Sequence, residues 1–324
     1  MELRRRTLTG ILSVVLAAAL LGLTGCFGFG GQEQLVLPAA KIKAPSIAQD
    51  GVLRVGIDPT HAPFAGRSGS EIIGIDVDVA AALAEQMGLE LVLVETSGQD
   101  VNALLRDGAV DVVMSIQSDS TTSSTSTTSF SEVQVGPYLV DGPAFFAVGL
   151  SSEPQAFDSA QLNGMTIAAQ EGSLSAWQVG KDYGDGSLLT FPSLNGAFDE
   201  LASGRVSYAA ADAIVGSFLA IQYENVRCEG LLAAPQGVYM GVAADKSELA
   251  TALTEALRSL RDSGNLQVII AKWLGPVSAQ TVLSDQAIVS LSSGNSAGTT
   301  TETPAPAIDE TLENPEETSG ETEG

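Results

Sequence analysis

The sequence is poor in cysteine, histidine and basic side chains. Its 324 residues include two cysteines, one histidine and 15 lysines and arginines against 39 aspartates and glutamates, for a formal net charge of −24. One histidine and two cysteines leave no ordinary zinc cluster, and no phosphate-binding loop is present, so we expect neither a metal nor another cofactor. The acidic excess argues against nucleic acid as a partner and is compatible with a cationic ligand.

Long apolar runs are also missing. The run from Ile11 to Leu21 falls short of the roughly twenty residues that a membrane-spanning helix needs. It follows the basic stretch Arg4 to Arg6, which is the layout of a secretory signal peptide. The sequence Leu23-Thr24-Gly25-Cys26 resembles the lipobox of bacterial lipoproteins, in which the cysteine receives a diacylglycerol. We therefore expect a signal peptide over 1–25 and an extracytoplasmic protein that is anchored to the cell membrane through Cys26.

Both ends of the mature chain are predicted to lie outside its folded part. Residues 26–50 begin with a Gly-rich stretch and are interpreted as a linker behind the lipidated cysteine. Residues 284–324 are interpreted as an acidic, disordered tail, because from Thr299 onwards they contain proline, threonine and glutamate without a base or an aromatic side chain. With Cys26 acylated, Cys228 has no disulfide partner, and we predict that its thiol is buried.

Between these ends, short β-branched runs alternate with helical patterns. Strands are predicted at 52–57, 89–95, 110–114, 166–169, 188–191, 207–211 and 238–243. Helices are predicted at 76–87, 101–105, 194–203, 213–223 and 248–273, the last one interrupted at Ser263-Gly264. This alternation predicts an α/β fold with mainly parallel sheets that are covered on both faces.

Several motifs together resemble one known family. Six segments are similar, in this order, to the extracellular solute-binding proteins of polar amino-acid ABC transporters (family 3), namely Leu53–Phe64, Gly74–Ala80, Leu105–Ser115, Ile167–Ser173, Leu201–Asp212 and Leu253–Gly275. The resemblance covers roughly 52–276. It implies a two-lobed, periplasmic-binding-protein-like fold, with hinge crossover strands and a ligand in the cleft. We expect residues 51–148 and 237–283 in the first lobe and 149–236 in the second.

The same resemblance implies a set of ligand-binding residues. In the second lobe, Gly172 and Ser173 at a helix start match donors to the carboxylate of an amino acid, and Asp212 matches the partner of its ammonium group. In the first lobe, Ser115 and Ser118 match positions that hydrogen-bond the backbone of the ligand. Asp58, His61 and Phe64 complete the candidate set, with His61 at a position that forms a wall of the cleft. Ordinary helix capping is the alternative for Ser173 and Asp212, and a polar loop position is the alternative for the two serines.

The chain also departs from the family pattern. The arginine that grips the ligand's carboxylate is expected near Ser123, but the run Ser120–Ser129 contains no base. His61 stands where the family has a tyrosine or phenylalanine. A carboxylate buried without a charged donor is costly, so Asp58, Asp119 and Asp212 favour a ligand richer in positive charge. The alternatives are that Asp119 faces solvent and that Asp58 only shapes the turn before Pro59.

These observations favour a monomeric, lipid-anchored receptor that captures a small polar solute, an amino acid or an amine, and delivers it to the membrane permease of an ABC importer. We expect no enzymatic activity. Two alternatives remain open: a degenerate receptor that senses a ligand without transport, and a cleft enzyme of the dehydratase or lytic transglycosylase kind. For the enzyme, Glu171 is the one general acid that the sequence offers.

Lipidation of Cys26 is directly testable. Substitution Cys26→Ser removes the thiol that would be acylated, so the protein is expected to be released from the membrane or to accumulate as unprocessed precursor. Membrane fractionation with metabolic lipid labelling measures this outcome, and Cys228→Ser serves as the matched control. Mature Cys26→Ser protein that stays in the membrane fraction contradicts the prediction.

Overall fold

The computed structural model describes residues 38–117, 133–149 and 159–283, which fall into two compact units. Within these residues, the first unit comprises 38–117, 133–140 and 236–279, and the second comprises 141–149, 159–235 and 280–283. The predicted lipidation site Cys26, the candidate ligand residue Ser118, the neighbouring Asp119 and the acidic tail lie outside the described residues.

Strands and helices alternate along this part of the chain. The strands are β1 (Val52–Ile57), β2 (Gly66–Ser68), β3 (Glu71–Ile73), β4 (Glu90–Glu95), β5 (Val112–Gln117), β6 (Val133–Asp141), β7 (Pro143–Val148), β8 (Ile167–Gln170), β9 (Leu188–Phe191), β10 (Tyr208–Asp212), β11 (Val226–Leu231) and β12 (Gln236–Val242). The helices are α1 (Ile75–Met87), α2 (Val101–Arg106), α3 (Leu174–Tyr183), α4 (Leu194–Ala202), α5 (Ala213–Ala220), α6 (Ser247–Asp262), α7 (Asn265–Leu274) and α8 (Pro276–Leu283). Single 3₁₀ turns span Ser159–Leu162 and Asp185–Ser187. Among these described helices, none has both the length and the apolar character that crossing a membrane demands.

The first unit is built on a five-stranded sheet of order β4-β1-β5-β12-β6. Strand β1 pairs in parallel with β4 and β5, whereas β12 runs antiparallel to β5. Helix α1 buries Val79, Leu83 and Met87, which recur at helical spacing, and it ends at Gly88 with φ 70°. Because β1, β4 and β5 are parallel, their carboxyl ends lie at one edge of the sheet.

The second unit has its own five-stranded sheet, of order β11-β7-β10-β8-β9. Strand β8 is parallel to β9 and β10, and β7 is antiparallel to β10 and β11. Its core packs Phe145, Ile167, Val179 and Ala210 together. The predicted α/β fold with two units is confirmed. Both sheets are mixed, because β7 and β12, which follow the points where the chain passes from one unit to the other, pair antiparallel with neighbouring strands.

The unit boundaries differ from the expected ones at four places. Residues 38–50, expected in the linker, belong to the first unit, where Ile42 and Ile47 are buried in the core. Gln236, expected in the second lobe, begins β12 and belongs to the first unit. We expected residues up to 148 in the first lobe, but β7 pairs with β10 and β11 and therefore belongs to the second unit. Residues 280–283, expected in the first lobe, also belong to the second unit. Cys228 of β11 is buried as predicted, and burial raises the pKa of its thiol to about 12.

Gly74 sets how α1 begins beside the preceding loop. Its φ is 150°, a region that side chains other than glycine rarely enter, and a Cβ there would collide with the backbone of Phe64 and Ala65. The close approach lets the first amides of α1 bond backward: Ile75 N donates to Pro63 O at 3.0 Å and Asp76 N to Phe64 O at 2.9 Å. Gly74 therefore places the loop after β1 against the start of α1.

Substitution Gly74→Ala is expected to lower the free energy of unfolding by roughly 2–4 kcal/mol, because it combines a strained backbone with an overpacked contact. Urea denaturation measures the loss. Gly69→Ala is the matched control: Gly69 also has a positive φ, 63°, but a Cβ there meets nothing within 4 Å. Equal losses in the two variants contradict the role assigned to the close approach at Gly74.

Candidate functional site

A cavity of about 370 Å³ lies in the first unit, where the parallel strands end. Four of the predicted ligand residues line it, namely Asp58, His61, Phe64 and Ser115. The first three follow β1, and Ser115 lies on β5. Parallel strands bring their carboxyl ends to the same edge of a sheet, which is why residues far apart in sequence meet there. The loop after β4, which includes Thr96 and Gln99, completes the wall.

Asp58 is held by a local cluster of donors. Its Oδ1 accepts hydrogen bonds from Ser97 Oγ at 2.7 Å, Thr60 Oγ1 at 2.8 Å and Thr60 N at 3.0 Å. Its Oδ2 lies 3.2 Å from Nδ1 of the exposed His61. Burial by itself would raise the pKa of Asp58, but the donors Ser97 and Thr60 and the neighbouring His61 together hold that pKa below its usual value. Asp58 is therefore ionised at neutral pH.

Sequence reasoning missed a second carboxylate in this cavity, that of Asp76. Asp76 is 2% exposed, and its Oδ1 and Oδ2 accept hydrogen bonds of 2.6 Å from Tyr138 OH and Ser115 Oγ. Burial raises the pKa of Asp76 to about 6, and the two hydroxyl donors limit the rise. The same burial, with Asp76 close by, raises the pKa of Tyr138. Asp76 stands in the segment Gly74–Ala80 that carried the family resemblance, so a signal for it was present.

The described wall of this cavity carries two carboxylates and neither a lysine nor an arginine. Asp58 and Asp76 line it, and no lysine or arginine is among the described lining residues. In the described part of the chain, no three histidine, cysteine, aspartate or glutamate side chains come close enough to hold a metal ion together. The charge of the described wall favours a cation over an anion.

In the second unit, Gly172 and Ser173 lie at the start of α3. The Ser173 hydroxyl oxygen accepts a hydrogen bond from Ala176 N at 3.0 Å, so Ser173 acts as the N-cap of α3. Both residues line a wide cavity of about 600 Å³ together with Trp177 and Lys181, whose Nζ lies 5.1 Å from the centre of the Trp177 ring. Asp212, the other residue predicted in this unit, is not among the residues that line it.

Asp212 stands directly before α5, but its side chain does not cap that helix. Asp141 takes this role instead: its Oδ1 accepts hydrogen bonds from Ile214 N at 3.0 Å and Gly142 N at 2.9 Å. The Asp212 carboxylate accepts from Ser175 Oγ at 3.0 Å. Capping, the alternative interpretation of Asp212, is thereby contradicted. Burial and the nearby Asp212 charge raise the pKa of Asp141 to about 6, although its backbone donors oppose the rise.

The raised pKa of Asp76 predicts a stability that depends on pH. Well below pH 3.8 this carboxyl is protonated in both the folded and the unfolded chain. As the pH rises from 4 to 6, the unfolded chain releases the proton and the folded protein keeps it, so the free energy of unfolding falls. A pKa moved from 3.8 to about 6 corresponds to on the order of 3 kcal/mol. Asp76→Asn cannot ionise and is expected to abolish this fall.

Urea unfolding between pH 4 and pH 7.5 measures the effect. The chain has two tryptophans, Trp177 in the second unit and Trp273 in the first, so a Trp177→Phe background reports on the first unit through Trp273 fluorescence. Substitution Asp262→Asn, at an exposed position, is the control and should leave the pH dependence as it is. The same decline with pH in Asp76→Asn as in its parent refutes the prediction.

Comparison with known proteins agrees with this architecture. The chain is 26% identical over 265 residues to the arginine-binding protein ArgT of Corynebacterium glutamicum, covering 75% of this chain and 82% of that protein. It is 27% identical over 182 residues to the cyclohexadienyl dehydratase of Pseudomonas aeruginosa, covering 55% and 65%. A polar amino acid ABC uptake transporter substrate-binding protein from Streptococcus thermophilus shares the fold, with a TM-score of 0.59 and 20% identity over 76% of this chain and 92% of that one. The family model of the bacterial extracellular solute-binding proteins, family 3, matches residues 53–276, so the chain belongs to that family.

Proposed function

We propose that this protein is a lipid-anchored receptor of an ABC importer and that its ligand is a small polar solute with a positive charge, a cationic amino acid or an amine. Membership of a family of solute-binding proteins supports the receptor role. We choose a cation because the cavity is lined by the carboxylates of Asp58 and Asp76 and by no described lysine or arginine. The relative named an arginine-binding protein is consistent with that choice.

Asp212 is proposed to bind the ligand's ammonium group. Because Asp141 caps α5, the Asp212 carboxylate is not consumed by the backbone amides of that helix. Its described donor is the neutral hydroxyl of Ser175, which leaves its negative charge uncompensated by an ion pair. A positively charged ligand group supplies that compensation. The closure of two lobes around the ligand, which the family resemblance implies, is part of this proposal.

A binding role is favoured over catalysis by the way in which the acidic groups are occupied. Both oxygens of Asp76 and the Oδ1 of Asp58 already accept hydrogen bonds from the protein itself. Glu171, the general acid considered from the sequence, is exposed after β8. A general acid or base must reach a reacting atom of the substrate, and these contacts instead hold the carboxylates in place as fixed charges.

A thermal-shift screen of the tail-free protein tests the proposed function. The probes are L-arginine, L-lysine, agmatine, putrescine and glycine betaine, with L-glutamate as an acidic control. A ligand at 100 times its dissociation constant adds about 2.7 kcal/mol to the free energy of unfolding, which gives a clear rise in Tm. Uptake of the same radiolabelled cation by cells that lack the protein then separates transport from sensing. No shift with any cationic probe would refute the proposal.

Substitution Asp212→Asn is expected to weaken binding of the best cationic probe by roughly 1.5–3 kcal/mol, the range for a hydrogen bond to a charged group. The amide keeps the shape of the side chain and removes its charge. Isothermal titration measures the change. Glu224→Gln, which removes one exposed negative charge from the same unit, is the matched control and should change the affinity little.

The same titrations test which end of the ligand matters. Agmatine, or arginine with its carboxylate amidated, is expected to bind at least as well as free L-arginine, because the family's carboxylate-binding arginine is missing. Tight binding of a free amino acid that disappears on amidation contradicts this expectation and points to another donor for the carboxylate.

A further inference from the structure

The carboxylate of Asp76 accepts hydrogen bonds from the hydroxyl groups of two neighbouring side chains. Tyr138 OH donates to Oδ1 and Ser115 Oγ donates to Oδ2, each at 2.6 Å, the length of a hydrogen bond from a hydroxyl to an ionised oxygen. Asp76 is 2% exposed and Tyr138 is fully buried, so bulk water does not compete for these bonds. Burial raises the pKa of Asp76 only to about 6, and the ionised form therefore predominates at pH 7.5.

Ser115 keeps no hydrogen-bond donor for a ligand. A serine hydroxyl has one proton, and that of Ser115 is donated to Asp76. Its backbone N–H donates to Tyr138 OH at 3.2 Å. Ser115 also has a φ of 58°, which is uncommon for a residue other than glycine, and these two bonds hold it in that conformation. Towards the cavity that it lines, Ser115 Oγ therefore offers lone pairs alone.

We infer that Asp76 is a positioning residue that sets the specificity of the cavity: it turns the Ser115 hydroxyl into an obligate acceptor, which a ligand must meet with an N–H group. An ammonium or guanidinium group satisfies this demand. A ligand carboxylate does not, because it is itself an acceptor and would lie beside the charge of Asp76. The inference rests on the proposed function, since it assumes a cationic ligand in this cavity. It adds that Ser115 Oγ is the atom that accepts a hydrogen bond from the ligand's N–H group.

A double-mutant cycle distinguishes action through Ser115 from direct contact with the ligand. Asp76→Asn supplies an amide N–H to Ser115 Oγ, which occupies a lone pair and releases the hydroxyl proton towards the cavity. Ser115→Ala removes the acceptor altogether. With L-arginine and agmatine as probes at pH 7.5, each single variant is expected to bind about tenfold more weakly, the loss of one hydrogen bond. In the Ser115→Ala background, Asp76→Asn removes only the charge of its carboxylate from the cavity, so it is expected to weaken binding by a clearly smaller factor, less than about threefold.

Tyr138→Phe is the matched control. It removes the other hydroxyl donor to Asp76 and the acceptor of the Ser115 N–H, but it leaves the bond from Ser115 Oγ to Asp76. The loss of affinity for the probes should therefore stay within about threefold, well below the tenfold loss expected for Asp76→Asn. A network that matters only for stability instead predicts weaker binding in Tyr138→Phe and Asp76→Asn alike. Should Asp76→Asn fail to fold, Ser115→Gly decides, since glycine suits a φ of 58°: a roughly tenfold loss supports the inference and an unchanged affinity overturns it.

The outcomes separate this inference from the proposed function. If neither L-arginine nor agmatine binds the wild type, the choice of a cationic ligand fails, and the inference falls with it. If a probe binds and Asp76→Asn weakens binding by the same factor with and without the Ser115 hydroxyl, the inference alone is overturned. A clearly larger loss in the background that retains Ser115 supports both.

Discussion

The site in the first unit depends on the hydrogen bonds that the buried carboxylate of Asp76 accepts from Ser115 and Tyr138. This carboxylate joins the start of α1 to β5 through Ser115 and to β6 through Tyr138. A charged group is stable at such a depth only if donors surround it, so the three elements are held at one separation. Gly74 makes the arrangement accessible, because its backbone conformation brings the loop after β1 against the same helix end. The cavity is therefore shaped by a polar network as much as by apolar packing.

In the second unit, two neighbouring carboxylates have different partners: one caps a helix and the other does not. Asp141 satisfies the amide of Ile214 at the start of α5, and Asp212, the residue directly before that helix, pairs with the hydroxyl of Ser175 instead. Two negative groups near one helix start repel each other, which contributes to the raised pKa of Asp141. This arrangement leaves Asp212 with a charge that the described protein does not neutralise through an ion pair.

Much of the fold could be predicted because its signals are local. Helix α1 shows apolar residues at helical spacing followed by Gly88, and the break between α6 and α7 stands at Gly264, as expected. Strands β6 and β7 escaped prediction because Gly136-Pro137 and Gly142-Pro143 interrupt their apolar pattern and are typical of turns. Missing β7 also moved the expected boundary between the units, since that strand's partners are all in the second sheet.

For the site, the sequence determined that Asp58, His61, Phe64 and Ser115 follow or lie on parallel strands, from which their approach at one sheet edge follows. It also determined the shortage of basic side chains, with 15 lysines and arginines against 39 aspartates and glutamates. Only the tertiary structure decided which acidic side chains accept hydrogen bonds from other residues of the chain. Asp76 lies 39 residues from Ser115 and 62 from Tyr138, and Asp141 lies 73 from Ile214. Hydrophobic periodicity reports on neighbours within a few turns, whereas these contacts depend on strand order and register, which no local pattern encodes.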